Sequence, residues 1–247
     1  MFIWQPDTIR FMRDASEYGD YHRKLAAKIT SFLPQNAQVC DAGCGLGYLS
    51  LALAETARNV TAIDISPEAI AVLRSNIQKN GVRNIQAVTA DIRTYLPEEP
   101  FDAMIFCFFG NIAEALALAK RRCDGVVILI KRNYLHHRYS VGKHPLERYS
   151  FAQSCEELES SGIPARREEF TLENGQPFRS LQDAVTFFQI YSRDAAPERI
   201  TEGWVRAKLV DDPSGLYPYY LPTVKEIGLL ALEARDIPES FSRMDCV

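Results

Sequence analysis

The chain lacks several features that would assign it quickly. No uninterrupted apolar stretch approaches the ~18 residues that cross a bilayer, and the opening Met1-Phe2-Ile3-Trp4-Gln5-Pro6-Asp7 has neither the basic nor the apolar region of a secretion signal. A cytoplasmic protein without membrane association is expected. Positive charge is not in excess, because 28 Lys and Arg stand against 32 Asp and Glu, for a net charge of −4. That balance supplies no global attraction to nucleic acid or to an anionic membrane, so neither is an expected partner. No C-x-x-C pair occurs among Cys40, Cys44, Cys107, Cys123, Cys155 and Cys246. Cys40 and Cys44 flank a glycine turn with no second cluster at zinc spacing, so no metal is expected. Thiols within apolar runs are expected to be buried and reduced. Internal repeats and low-complexity tracts are absent as well.

What is present is an alternation of strand and helix patterns. At 247 residues the chain has room for one large α/β domain with an insertion. Composition suits a monomer and a homodimer equally. Ile9 to Phe32 reads as helix, with Ala26, Ala27, Ile29 and Phe32 forming an apolar stripe that Pro34 ends. Strands are expected at Gln38 to Ala42, Asn59 to Asp64, Ile85 to Thr89, Phe101 to Phe106 and Val126 to Lys131. Helices are expected at Tyr48 to Ala57, Pro67 to Asn80 and from Gly110 to about Arg121. Such βα units imply a mostly parallel sheet with helices on both faces.

Further on the pattern changes. A helix is expected from about Leu146 to Ser161, a strand near Arg166 to Leu172, a helix from Ser180 to Ser192 with Ser180 as its cap, and a closing apolar strand at Ile227 to Glu233. Between the last two lies a loop-rich segment holding Trp204, Tyr217, Tyr219 and Tyr220 that reads as an insertion. The expected organisation is a single domain: an N-terminal helical segment (1–33), a core (36–132), and a C-terminal half (133–247) whose insertion, about 175–222, is a candidate substrate lid.

The chemistry centres on Asp41-Ala42-Gly43-Cys44-Gly45-Leu46-Gly47, between a strand and a helix. Glycines there permit positive φ and close backbone approach. A dinucleotide turn has the spacing G-x-G-x-x-G, and here the last position is Tyr48, so the spacing is G-x-G-x-G instead. The next two strand ends carry Ala62-Ile63-Asp64 and Ala90-Asp91-Ile92.

The run Val39 to Gly47 resembles the first motif of class I S-adenosylmethionine-dependent methyltransferases. The resemblance implies a Rossmann-like, doubly wound, mostly parallel seven-stranded sheet whose last strand is antiparallel, preceded by a helical and aromatic insertion. It also implies S-adenosylmethionine as cofactor. By that likeness Asp41 lies near the cofactor's amino group, Asp64 accepts the ribose hydroxyls, and Asp91 meets the adenine amino group while Ile92 packs on the ring. The implied cofactor set is completed by Gly43, Cys44, Gly45, Gly47, Tyr48, Ile65 and Phe106.

For the acceptor the absences again count. After the fourth strand, Cys107-Phe108-Phe109-Gly110 lacks the Asn/Asp-Pro-Pro-aromatic run of enzymes that methylate DNA amino groups. No cysteine follows a proline as cytosine C5 chemistry requires, and no acidic metal ligands are present at this place. A small, polar or anionic acceptor is expected, with Tyr18, Tyr21, Phe109, Arg132 and His136 as candidate contacts. Lys131 to Arg148 is basic apart from Glu147 and receives either an anion or plain solvent. In-line methyl transfer needs no obligatory general base, so no catalytic residue is named. Two alternatives share the fold: a non-catalytic S-adenosylmethionine-binding protein, and an aminopropyl transferase, against which Phe108 and Phe109 argue.

Overall fold

The computed structural model describes residues 3–146, 150–194, 196–212 and 215–243. Glu147, Arg148 and Cys246, singled out above, lie outside them. Among the described residues there are eight α-helices: α1 (Pro6–Tyr18), α2 (Tyr21–Thr30), α3 (Tyr48–Leu53), α4 (Pro67–Asn80), α5 (Ile112–Arg122), α6 (Phe151–Ser160), α7 (Leu181–Tyr191) and α8 (Glu202–Arg206). Ten strands accompany them: β1 (Gln38–Ala42), β2 (Asn59–Asp64), β3 (Ile85–Thr89), β4 (Phe101–Cys107), β5 (Cys123–Arg132), β6 (Arg166–Glu173), β7 (Gln176–Phe178), β8 (Val210–Asp211), β9 (Tyr219–Leu221) and β10 (Val224–Glu233). No helix among these residues is long and apolar enough to cross a membrane.

Seven strands form one sheet in the order β3-β2-β1-β4-β5-β10-β6. The first five run parallel, and β10 runs antiparallel to β5. The order departs from β1 in both directions. Right-handed crossovers then place the connecting helices on opposite faces, which is the doubly wound arrangement. Burial on both faces explains why β5 reads as a continuous apolar run, with Val127, Ile128, Leu129 and Ile130 all fully buried.

Local chemistry sets the element ends. α4 begins where the Ser66 hydroxyl accepts from the Ala69 N–H at 3.1 Å, with Pro67 at its first position, and it stops at Gly81 in the left-handed region (φ +64°). α5 is capped by the Asn111 side chain, which accepts from the Glu114 N–H at 2.7 Å. In its last turn Arg122 is buried, and its guanidinium donates to the carbonyls of Tyr95 at 2.6 Å and Arg93 at 2.7 Å. Those donors tie the loop after β3 to α5 and satisfy a charge that would be costly to bury unpaired.

The chain packs as two compact units. One comprises 22–133, 149–170 and 227–247, and the other 1–21, 134–148 and 171–226. The first holds the parallel strands. In the second, Phe11, Phe178, Phe187, Phe188, Tyr139, Tyr191 and Trp204 pack edge to face, with centroids of 5.2 Å for Phe11–Phe187 and for Phe188–Trp204. Within the insertion considered for a lid, Phe178, Phe187, Phe188, Tyr191, Trp204 and Tyr219 thus pack into this unit's own core, and Tyr217 and Tyr220 do not belong to that cluster. A buried Asp14 paired with Arg179 ties α1 to the residue following β7.

Four sequence expectations are corrected. The helix expected over Ile9 to Phe32 is two helices, because Gly19 is extended (φ −107°, ψ 174°) and ends α1. The helix expected to Ala57 ends at Leu53, where the chain turns to enter β2. The helix expected from Leu146 begins at Phe151, behind a Ser150/Gln153 capping box. The loop-rich segment contains α8, β8 and β9, and the two strands join β7 in a small antiparallel sheet in the order β7-β9-β8. Strands of two or three residues carry no legible period, and Pro177 inside β7 counts against a strand.

Gly125 sits where β5 passes the irregularity between Phe101 and Ala103 of β4, and a Cβ there would lie 2.0 Å from the backbone oxygen of Asp102. Asp102 is itself fixed, since its side chain accepts from the Gln38 N–H at 2.7 Å. Gly125→Ala is therefore expected to destabilise the fold by about 1–3 kcal/mol through forced backbone shifts, measured by urea denaturation. Unchanged stability would show that β4 yields there.

Candidate functional site

The carboxyl ends of β2, β1 and β4 lie side by side, and the chain turns sharply after β1. Gly43, Gly45 and Gly47 have φ of +72°, +55° and +75°, conformations that residues with a Cβ rarely adopt. The turn folds back on β2: the N–H groups of Gly43 and Cys44 donate to the Ile63 carbonyl at 2.8 and 3.0 Å. The Gly47 N–H donates to the Cys44 carbonyl at 3.0 Å. The Gly45 N–H donates to the Asp64 carboxylate at 2.8 Å. The turn thus spends these donors internally. Space is equally committed, since a Cβ on Gly43 would lie 2.3 Å from the Phe109 ring and one on Gly47 would lie 2.3 Å from Leu73.

Asp64 is the residue best placed to meet a ligand. It is half-buried, one oxygen accepts from Gly45 and the other from the Ser66 N–H at 2.9 Å. Each carboxylate oxygen has a second lone pair, so two neighbouring hydroxyls can still be accepted. Ile65 beside it is 44% exposed, an apolar side chain that a flat heterocycle would cover. This pairing of a fixed carboxylate with bare apolar surface fits an adenosine-like ligand.

Asp41 is placed differently. It is 1% exposed, beneath the turn, with its carboxylate accepting from the Ser50 hydroxyl at 2.5 Å. Burial pushes its pKa up to about 6, the Ser50 bond opposes the shift, and the charge of Asp64 adds to it. What Asp41 offers a bound cation is a nearby negative field. Asp91 is half-exposed and organises its own loop: its carboxylate accepts from the Arg93 N–H at 2.9 Å and its carbonyl from those of Thr94 and Tyr95. Ile92 and Phe106 are buried in the core of this unit, 5% and 0% exposed, and so present little surface to a ligand. Cys44 is half-buried, with burial driving its thiol well above the usual range. Tyr48 opens α3 with its ring 5.7 Å from that of His22.

The candidate acceptor contacts fall in both units. In the unit of the parallel strands, Phe109 turns inward against Gly43 and Phe106, with ring centroids 6.2 Å apart for the two phenylalanines, and Arg132 ends β5 in a bridge to Ser150. In the other unit, Tyr18 packs against Tyr217 and Tyr220 and bonds Asp212, Tyr21 is buried beneath the Lys225 ammonium, and His136 is exposed and bridged to Pro145. The basic segment uses much of its charge to hold itself together. Arg138 donates to the Val224 carbonyl at 2.6 Å and stacks on Tyr134, while His144 bonds the buried Asp194 carboxylate at 2.9 Å. Asp194 also accepts from the N–H groups of Val141 and Gly142, and is held well below the usual carboxylate range, by His144 first. Burial pushes His137 down to about 4 and keeps it neutral. No group of three metal-ligating side chains is found among the described residues.

Two residues here were not among the expected site contacts. Phe108, 43% exposed, has φ +54°, rare for an aromatic residue, and Lys131 is 2% exposed at the end of β5. In the sequence Lys131 shows as a charge closing an apolar strand and Phe108 as an aromatic residue following one, and neither pattern carries a position at the turn.

Residues 33–134 match the family model of a methyltransferase domain. The match takes in the glycine turn and the five parallel strands, β1 to β5. The fold is the class I Rossmann-like fold of S-adenosylmethionine-dependent methyltransferases, and S-adenosylmethionine is that family's cofactor. The domain is 44% identical over 70 residues to a ubiquinone biosynthesis O-methyltransferase of Xylella fastidiosa, an alignment spanning 28% of each chain. It is 41% identical over 59 residues to an uncharacterised RNA methyltransferase of Halalkalibacterium halodurans, spanning 24% of this chain and 13% of that one. The chain thus covers only a minor part of the length of these curated relatives. In fold it is similar to a SAM-dependent methyltransferase of Aquifex aeolicus, with a TM-score of 0.56 at 16% identity over 94% of this chain and 100% of the other.

The raised pKa of Asp41 has a definite consequence for the domain without ligand. Between pH 4 and 6 the folded state holds a proton that the unfolded state releases, so stability falls as pH rises through that window and stays low above it. Asp41→Asn is expected to remove this dependence and, at pH 7.5, to be more stable than wild type by on the order of 2–3 kcal/mol. Urea denaturation at several pH values checks it, and parallel stability curves for the two proteins would contradict it.

Proposed function

We propose that the protein transfers a methyl group from S-adenosylmethionine to a small-molecule acceptor, and that Asp64 is its principal cofactor contact. The observation that carries this is the carboxylate of Asp64, fixed by two backbone N–H donors at the end of β2 beside exposed Ile65. A preset carboxylate binds a vicinal diol without first ordering itself. Asp41 contributes a buried negative charge on the side of the β1 turn, which favours an ammonium over a carboxylate in its vicinity.

When bound, S-adenosylmethionine supplies a methyl group on a positively charged sulfur. Methyl transfer to an acceptor would leave S-adenosylhomocysteine as the product. The chain's task is to hold both reactants in line and exclude water. A small acceptor is favoured over a nucleic acid by the net charge of −4 and by the internal engagement of Arg138 and His144.

Calorimetry with S-adenosylhomocysteine tests the proposal. Wild type is expected to bind, and Asp64→Ala to bind about 10- to 100-fold more weakly, the usual cost of removing a charged hydrogen-bond acceptor. No binding by wild type, or equal binding by the variant, would refute it. Screening acceptors for S-adenosylhomocysteine release then separates a polymer from a small molecule.

A further inference from the structure

Lys131 follows four fully buried residues of β5 and is itself 2% exposed. An ammonium so placed is costly unless its donors are met. Its Nζ donates to the carbonyls of Phe109 at 3.3 Å and Gly110 at 3.0 Å, both in the loop after β4. The preceding residue of β5 grips the same loop, as the Ile130 carbonyl accepts from the Phe108 N–H at 3.0 Å. Two residues of this loop are in the left-handed region, Phe108 at φ +54° and Gly110 at φ +56°. For a phenylalanine that conformation is unfavourable and persists only where the surroundings over-determine it. The outcome of the grip is an inward Phe109, whose ring packs directly under Gly43, and an exposed Phe108.

A chain of contacts therefore runs from Lys131 to the Phe109 carbonyl, and from the Phe109 ring to the first glycine of the turn. We infer that Lys131 is a positioning residue: its buried ammonium sets the loop after β4, and through Phe109 it sets the turn that meets the cofactor. The charged groups facing it are Glu157 on α6, Glu114 on α5, Cys107 on β4 and the adjacent Arg132. Burial is the largest influence and pushes Lys131 down to about 8, with the two glutamates opposing and Arg132 assisting. Deprotonation leaves an amine that donates more weakly to the two carbonyls, so the grip loosens as pH rises through that value.

The inference rests on the methyl-transfer proposal only for the ligand used as probe. In wild type, backbone hydrogen exchange of residues 108–111, corrected for its intrinsic pH dependence, is expected to lose about tenfold in protection with a midpoint near pH 8. S-adenosylhomocysteine affinity is expected to weaken roughly tenfold over the same range. In Lys131→Met both are expected to be weakened already at pH 7 and to lose that midpoint, while Lys131→Arg keeps the protection and shows no titration. Protection in wild type that is flat across pH, or a loss in Lys131→Met spread evenly over β4 and β5, would overturn the inference. If Lys131→Met does not fold, the wild-type series and Lys131→Arg decide. If wild type binds no S-adenosylhomocysteine at any pH, the methyl-transfer proposal falls, and the exchange arm still judges Lys131.

Discussion

Right-handed crossovers oblige a parallel sheet that grows in both directions from β1 to leave a crevice at the carboxyl ends of β1 and its neighbours β2 and β4. The candidate site follows from that constraint. It brings Asp64, the glycine turn and the Phe108–Gly110 loop to one edge although they are far apart in sequence. The turn itself is a product of packing from both sides: Asp64 and Ile63 take its N–H groups, while Phe109 and Leu73 occupy the space that side chains on Gly43 and Gly47 would need. Its glycines are required first by the protein's interior.

Buried charge is handled in two ways in the unit of the parallel strands. Arg122 gives its donors to carbonyls of the loop after β3, and Lys131 gives its own to carbonyls of the loop after β4. Each cation turns its desolvation cost into a fixed loop conformation. Asp41 has a single hydroxyl partner and instead keeps a raised pKa. In the other unit Asp194 is the reverse case, a carboxylate with several donors and a depressed pKa, which fastens the basic segment to the residues after α7. Charge that looks in the sequence like an anion-binding stretch is in part the internal fastening of a loop.

Legibility in the sequence followed length and periodicity. The strands at Gln38–Ala42, Asn59–Asp64 and Ile85–Thr89 and the helix at Pro67–Asn80 were readable to the residue, because apolar runs there are bounded by capping or turn residues. The break at Gly19 was not, since a glycine within a periodic pattern does not declare whether it bends or ends a helix. Strands β7, β8 and β9 were too short to show alternation. At the site, Asp64 and the glycine spacing were legible as a motif, whereas Phe109 was legible only as an aromatic residue after a strand, not as the ring beneath Gly43.

The sequence by itself determined the class of fold, the turn and the identity of the carboxylates at the strand ends, because these depend on local spacing and on chain-neighbour sterics. Which of those carboxylates is buried and which is open, that Ile92 and Phe106 belong to the core, and that Lys131 holds the loop beside the turn were decided only by the tertiary structure. Burial and hydrogen-bond partnership are properties of neighbours brought together across the sheet, and a one-dimensional pattern does not carry them.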